Sequence, residues 1–214
     1  MKIEVKNLSK KFKDDVILSD INLTFESGNI YGLVGRNGSG KSVFLKMLCG
    51  FYYPTSGEIL YDGHNYISNK EYPKDVRALI EKPSFMPDLS GFENLKLLAA
   101  IQNKISDKDI IKSLKDVNLD DERDKKYNIY SQGMRQKLGI AQVLMENPKV
   151  MILDEPFNGI EGESVKKIIK LLKELKKQDK IIIISSHIKE DIESCSDKIY
   201  ICDGGSIRLK NDEK

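Results

Sequence analysis

The chain has 214 residues, with 35 Lys and Arg against 33 Asp and Glu, a net charge of +2. With 32% charged and 40% hydrophobic residues, this balance excludes a disordered chain and the one-signed surface of a strongly basic nucleic-acid binder. A mean hydropathy of −0.41 and unbroken apolar stretches that, like Ile181 to Ile184, fall far below the roughly 18 to 20 apolar residues of a span exclude a bilayer-spanning helix. The first twelve residues hold no apolar signal core, and Cys49, Cys195 and Cys202 share no CxxC spacing. Both features point to the cytosol, and to cysteines that serve as small buried apolar side chains.

In chain order, Lys2 to Val5 alternate, and Ile21, Leu23 and Phe25 recur every second residue before Ser27-Gly28, which predicts strands over residues 1 to 30. Ile30 to Val34 form a short apolar run that breaks into GRNGSGKS and resumes as VFLKMLCG, reading as strand, glycine loop and helix. PTSGEILYDGHNYI alternates around Ile59 and Tyr61 and predicts further small strands. From Gly91 to Glu146 the apolar spacing turns helical, the pattern of an inserted helical subdomain. The β/α alternation then returns. Val150 to Leu153 and Ile181 to Ile184 are buried strands, and Glu163 to Gln178 is a helix with Val165, Ile168, Ile169, Leu172 and Leu175 on one stripe. The lysines on its other face are a solvated surface. Lys198 to Leu209 closes with a hairpin around Gly204-Gly205.

Gly35-Arg36-Asn37-Gly38-Ser39-Gly40-Lys41-Ser42 matches GxxxxGK[ST] between a hydrophobic strand and an amphipathic helix. Glycines let the backbone turn with positive φ and approach an anion, so that consecutive N–H groups and the helix N-terminus surround a phosphate. Lys41 supplies charge toward the terminal phosphates. The Ser42 hydroxyl offers one position to Mg²⁺, which characteristically takes few protein ligands plus phosphates. The implied substrate is a nucleoside triphosphate. Asp154 and Glu155 end the apolar strand VMIL. Asp154 is placed to hold Mg²⁺ and Glu155 to activate the attacking water, with His187, ending another buried strand, within reach of the terminal phosphate.

GRNGSGKS, then YSQGMRQKLGIAQVLMENPKVMILDEPFNGI, then IIISSH, in that order, resemble the ATP-binding subunits of ABC transporters along essentially the whole chain. The IEKPSF and SxGM segments are similar to the bacitracin- and lantibiotic-exporting subgroup. The resemblance implies an α/β fold: a P-loop ATPase core with an N-terminal antiparallel β subdomain and a helical subdomain at about residues 88–146, all in one domain over residues 1–214. It also implies that Ser131 and Gly133 clasp ATP held by a second ATP-binding subunit, giving a dimer glued by ATP and released by hydrolysis. The expected partners are that second subunit and a separately encoded transmembrane permease, with no nucleic acid and a place on the inner face of the membrane. Phe12 matches the aromatic that stacks on adenine. Glu81 stands where the family has a glutamine that touches Mg²⁺ and senses the permease; a carboxylate still ligates Mg²⁺ but adds negative charge beside phosphates. Gln132, Met134 and Glu161 also depart from the family pattern.

The competing readings are weaker. A GTPase needs NKxD, and neither Asn69-Lys70-Glu71-Tyr72 nor Asn103-Lys104-Ile105-Ser106 supplies the acid. A small-molecule kinase has no use for YSQGM or for a late strand-ending histidine. A dimerising regulatory module without transport remains the alternative, and Glu155 argues against it because binding alone needs no water-activating acid.

Overall fold

The computed structural model describes residues 1–210. Its strands are β1 (Lys2–Phe12), β2 (Asp15–Glu26), β3 (Asn29–Val34), β4 (Ser56–Tyr61), β5 (Val76–Leu79), β6 (Val150–Asp154), β7 (Ile181–Ser186), β8 (Lys198–Asp203) and β9 (Ser206–Leu209). The helices are α1 (Lys41–Leu48), α2 (Gly91–Gln102), α3 (Asp107–Asp116), α4 (Gln132–Leu144), α5 (Gly162–Lys176) and α6 (Lys189–Cys195). They build an antiparallel sheet in the order β2-β1-β4 and a larger one in the order β5-β6-β7-β3-β8-β9, parallel except for β9.

The larger sheet is covered on both faces, which explains why its strands read as unbroken apolar runs rather than as alternation. Ile182, Ile184, Met151, Leu153 and Ile30 face a core shared with α2 to α6. Ile181, Ile183, Val150, Ile152, Tyr31 and Leu33 face a second core shared with α1 and the small sheet. Each strand thus supplies alternate residues to two cores. In the small sheet, Ile3, Val5 and Leu8 are buried, but the parity changes at a register shift between Val5 and Leu8. Asn7 takes φ +49° there, as expected for a bulge.

Several local signals hold. Gly204 and Gly205 both have positive φ and join β8 to β9 with the two-residue turn that suits the strand twist. Ser90 and Glu93 form a reciprocal capping box at the start of α2. The three cysteines are buried, and burial pushes the Cys49 and Cys202 thiols up to about 12, so they remain protonated. Among the described residues, no helix is long and apolar enough to cross a membrane.

Other expectations are corrected. After β4 the segment around Asn65 forms no further strand, only an isolated bridge between Tyr61 and His64. The four-residue edge strand β5 and the short helix α6 carry no periodicity long enough to detect. β5 exists because Val76 to Leu79 pair with Val150 to Leu153, and α6 because Ile192 and Cys195 pack under the sheet.

Candidate nucleotide site

The loop from Gly35 to Gly40 leaves the carboxyl end of β3 and opens into α1. Carboxyl ends of parallel strands are where open α/β sheets bind ligands. Gly38 and Gly40 have φ +82° and +94°, a left-handed backbone that glycine adopts without strain. A Cβ on Gly35 would lie 2.6 Å from Ser39 Oγ and overlap the Cys202 carbonyl. The loop is therefore a close-fitted cradle, and within it Ser39 Oγ is a buried oxygen with no hydrogen-bond partner, as a group awaiting a ligand would be. Lys41 is 6% exposed and donates from Nζ to the Gly35 carbonyl at 2.6 Å and the Arg36 carbonyl at 3.2 Å, so its charge rests inside the loop.

The parallel pairing of β6 with β7 sets Asp154 beside Ser185, bringing two strand ends together. Asp154 accepts from Ser42 Oγ at 2.7 Å and from Ser185 Oγ. The hydroxyl and carboxylate are hard oxygen donors of the kind Mg²⁺ prefers, and the described residues contain no cluster of three or more His, Cys, Asp or Glu able to hold a metal alone. That donor set fits a metal completed by substrate phosphates and water. Glu155 lies just past the strand at φ +48°; a left-handed turn, rather than simple strand alternation, aims its side chain. Its N–H donates to the Ser185 carbonyl at 3.0 Å, and its own carbonyl accepts from Gln136 Nε2 at 3.0 Å. Glu155 Oε2 lies 2.9 Å from His187 Nδ1. His187 and Glu155 are thus a contacting pair, a geometry in which the histidine orients the carboxylate.

Ser42, Glu81, Asp154 and Glu155 line one cavity of about 590 Å³ together with Gln132, Arg135 and Gln136. The Ser42 hydroxyl is given to Asp154, and the Glu81 carboxylate is paired with Lys46. Ser131 caps α4 by accepting from Met134 N–H at 3.2 Å, and among the described residues neither it nor Gly133 is hydrogen-bonded to the phosphate loop of its own chain. Gly133 instead packs against the Gly159 backbone, and Gln132 against Gly159, whose φ is +74°. Phe12 stands outside the core at 40% exposure, edge-on to Tyr52 with ring centroids 5.4 Å apart and with Lys10 Nζ 4.6 Å from its own ring centre. Of the aromatic and methionine residues after Glu81, Met86 is exposed, whereas Phe85 packs edge-on against Tyr127. A second cavity of about 600 Å³, bordered by Phe51, Tyr72, Arg77, Gln102 and Gln142, lies where β5 meets the ends of α1 and α2.

Two contributors escaped the sequence reading. Gln136 is a polar residue among the buried positions of α4, a visible anomaly whose partner lies 19 residues away. Lys46 looks like any lysine on an amphipathic helix.

A strand, phosphate loop and helix, with paired acids at the end of β6, separated from β3 by β7 in a parallel sheet, define the P-loop nucleoside triphosphatase class. The ABC transporter family matches residues 18–158, and the chain belongs to that family as one of its ATP-binding ATPase cassettes. It is 42% identical over 212 residues to an uncharacterized ABC transporter ATP-binding protein, YybJ of Bacillus subtilis, covering 99% of this chain and 96% of the relative. It is 38% identical to the bacitracin transport ATP-binding protein BcrA of Enterococcus faecalis, over 96% of this chain and 67% of the relative. Its fold matches the dimeric ATP-binding cassette MJ0796 in a post-hydrolysis state bound to ADP and Pi, with a TM-score of 0.87, 23% identity and 99% of each chain covered.

Proposed function

We propose that this chain binds and hydrolyses ATP with Mg²⁺ as a dimer, and thereby powers a separately encoded membrane permease that exports peptide-like or drug-like compounds. The observation that carries the reading is the convergence of Asp154, Glu155 and His187, at the adjoining ends of β6 and β7, with Ser42 at the start of α1 beside the glycine cradle. BcrA's named role in bacitracin transport supports the cargo class.

In this mechanism the loop amides and Lys41 bind the phosphates, Lys41 exchanging its contacts with the Gly35 and Arg36 carbonyls for phosphate oxygens. Ser42 and Asp154, with Glu81 as a second acid lining the same cavity, would hold Mg²⁺, which when bound neutralises charge on the phosphates. Glu155 Oε2 takes the proton of the attacking water, and His187, hydrogen-bonded to the same oxygen, keeps the carboxylate aimed. Phe12 offers a ring face to adenine.

Ser131 and Gly133 form an anion-binding helix start with no phosphate loop of their own chain to serve. A head-to-tail pair of chains supplies one, giving two composite sites. We assign residues 88–146 to a subdomain that transmits closure of the pair to the permease. The exposed Phe51, Tyr72, Met86, Leu97 and Ile101 fit an apolar helix of that partner.

Reconstitution with a membrane permease in vesicles tests the proposal. ATP hydrolysis should rise when the permease and its cargo are both present. A rate indifferent to permease and cargo, with intact ATP-dependent dimerisation, would refute transport in favour of regulation.

A further inference from the structure

Glu81 takes φ +64°, a left-handed backbone that glutamate rarely adopts and that persists where surrounding contacts hold it. The contact available is Lys46, whose Nζ meets Glu81 Oε1. The carboxylate is 64% exposed at the cavity edge, whereas the lysine side chain is only 20% exposed. Lys46 lies four residues after Ser42 on α1, on the same face and about 6 Å further along the axis. Its ammonium also sits 5.3 Å from the centre of the Tyr52 ring, which in turn abuts Phe12. An aromatic and cationic chain therefore runs from the ring assigned to adenine to the acid assigned to the metal.

We propose that Lys46 is a positioning residue that holds Glu81 at the edge of the cavity and cancels its charge, so that Mg²⁺ must compete with the lysine for this carboxylate. The inference rests on the reading of this cavity as the Mg²⁺–nucleotide site. Direct ligation needs a carboxylate oxygen about 2.1 Å from Mg²⁺, and Glu81 Oε1 is committed to the Lys46 ammonium. Releasing the acid costs little, because a partly exposed ion pair is weak. Lysine, a donor-only point charge, cannot replace the acid at a metal. Such a device makes a carboxylate tolerable where the family has a neutral glutamine.

The test is equilibrium binding of a fluorescent ATP analogue, titrated with Mg²⁺, on the full chain. Lys46→Met should lower the Mg²⁺ concentration for half-saturation about two- to fivefold, the range set by an exposed ion pair, and Lys46→Arg should retain the wild-type value. In a Glu81→Gln background the effect of Lys46→Met should vanish. No shift on Lys46→Met, or an equal shift in both backgrounds, overturns the proposal, the second by showing that the lysine acts through its charge alone. Lys46→Gln gives the same comparison should the methionine variant lose its thermal transition. A wild-type chain that binds no nucleotide at any Mg²⁺ concentration would instead defeat the underlying assignment of the site.

Discussion

Replacing Glu155 by glutamine removes a negative oxygen and little else. The frame around it is backbone: its N–H is held by the Ser185 carbonyl and its carbonyl by Gln136, and neither contact depends on the acid. Glutamine accommodates the same φ of +48° about as well as glutamate, so the change adds no appreciable backbone strain. The direct structural loss is the carboxylate charge at the 2.9 Å contact with His187 and the 3.4 Å contact from Ser186 Oγ. The chemical loss is larger. A general base contributes about 10²- to 10⁴-fold, so its removal raises the barrier by roughly 2.7 kcal/mol or more. Single-turnover hydrolysis of saturating Mg²⁺–ATP, with ATP affinity measured separately, should show turnover reduced by at least about a hundredfold and binding retained. The variant should also accumulate as an ATP-loaded dimer, because the release step is blocked. Undiminished hydrolysis would remove Glu155 from the role of base.

Other outcomes follow from the same geometry. Lys41→Ala should abolish tight ATP binding, since Lys41 is the buried cation held on the loop carbonyls whereas Arg36 of the same loop is exposed; wild-type affinity by calorimetry would contradict the cradle. Phe12→Ala should weaken ATP binding roughly two- to tenfold, the scale of an aromatic contact, while Phe12→Trp preserves it. Equal affinities for ATP and for a triphosphate lacking the base, in the wild type, would rule out stacking. Gly32→Ala would drive a Cβ into Ile192 and Ser196 beneath β3 and should cost about 1–3 kcal/mol of overpacking, read as a lower denaturation midpoint; no change would mean that α6 moves freely.

The recognisable parts of this protein were those whose signal is local. The phosphate loop is eight consecutive residues, and the strand and helix flanking it announce themselves by apolar runs and helical spacing. Asp154, Glu155 and His187 could be singled out because each ends a buried apolar strand. The weak spots were elements whose identity depends on a distant neighbour. Four residues of β5 have no periodicity of their own and become a strand only by pairing with β6.

The sequence by itself determined the anion cradle, the strands and helices with an apolar pattern long enough to read, and the residue types of the site, because backbone freedom and side-chain period are written in adjacent residues. Tertiary structure alone decided which groups meet. Register between β6 and β7 joins Glu155 to His187, a left-handed turn aims Glu155, Gln136 of α4 anchors its carbonyl, and Lys46 claims Glu81. Those contacts cross 19 to 35 residues of chain, and a hydrogen bond or ion pair acts over a few ångströms of space, a distance that no spacing along the sequence encodes.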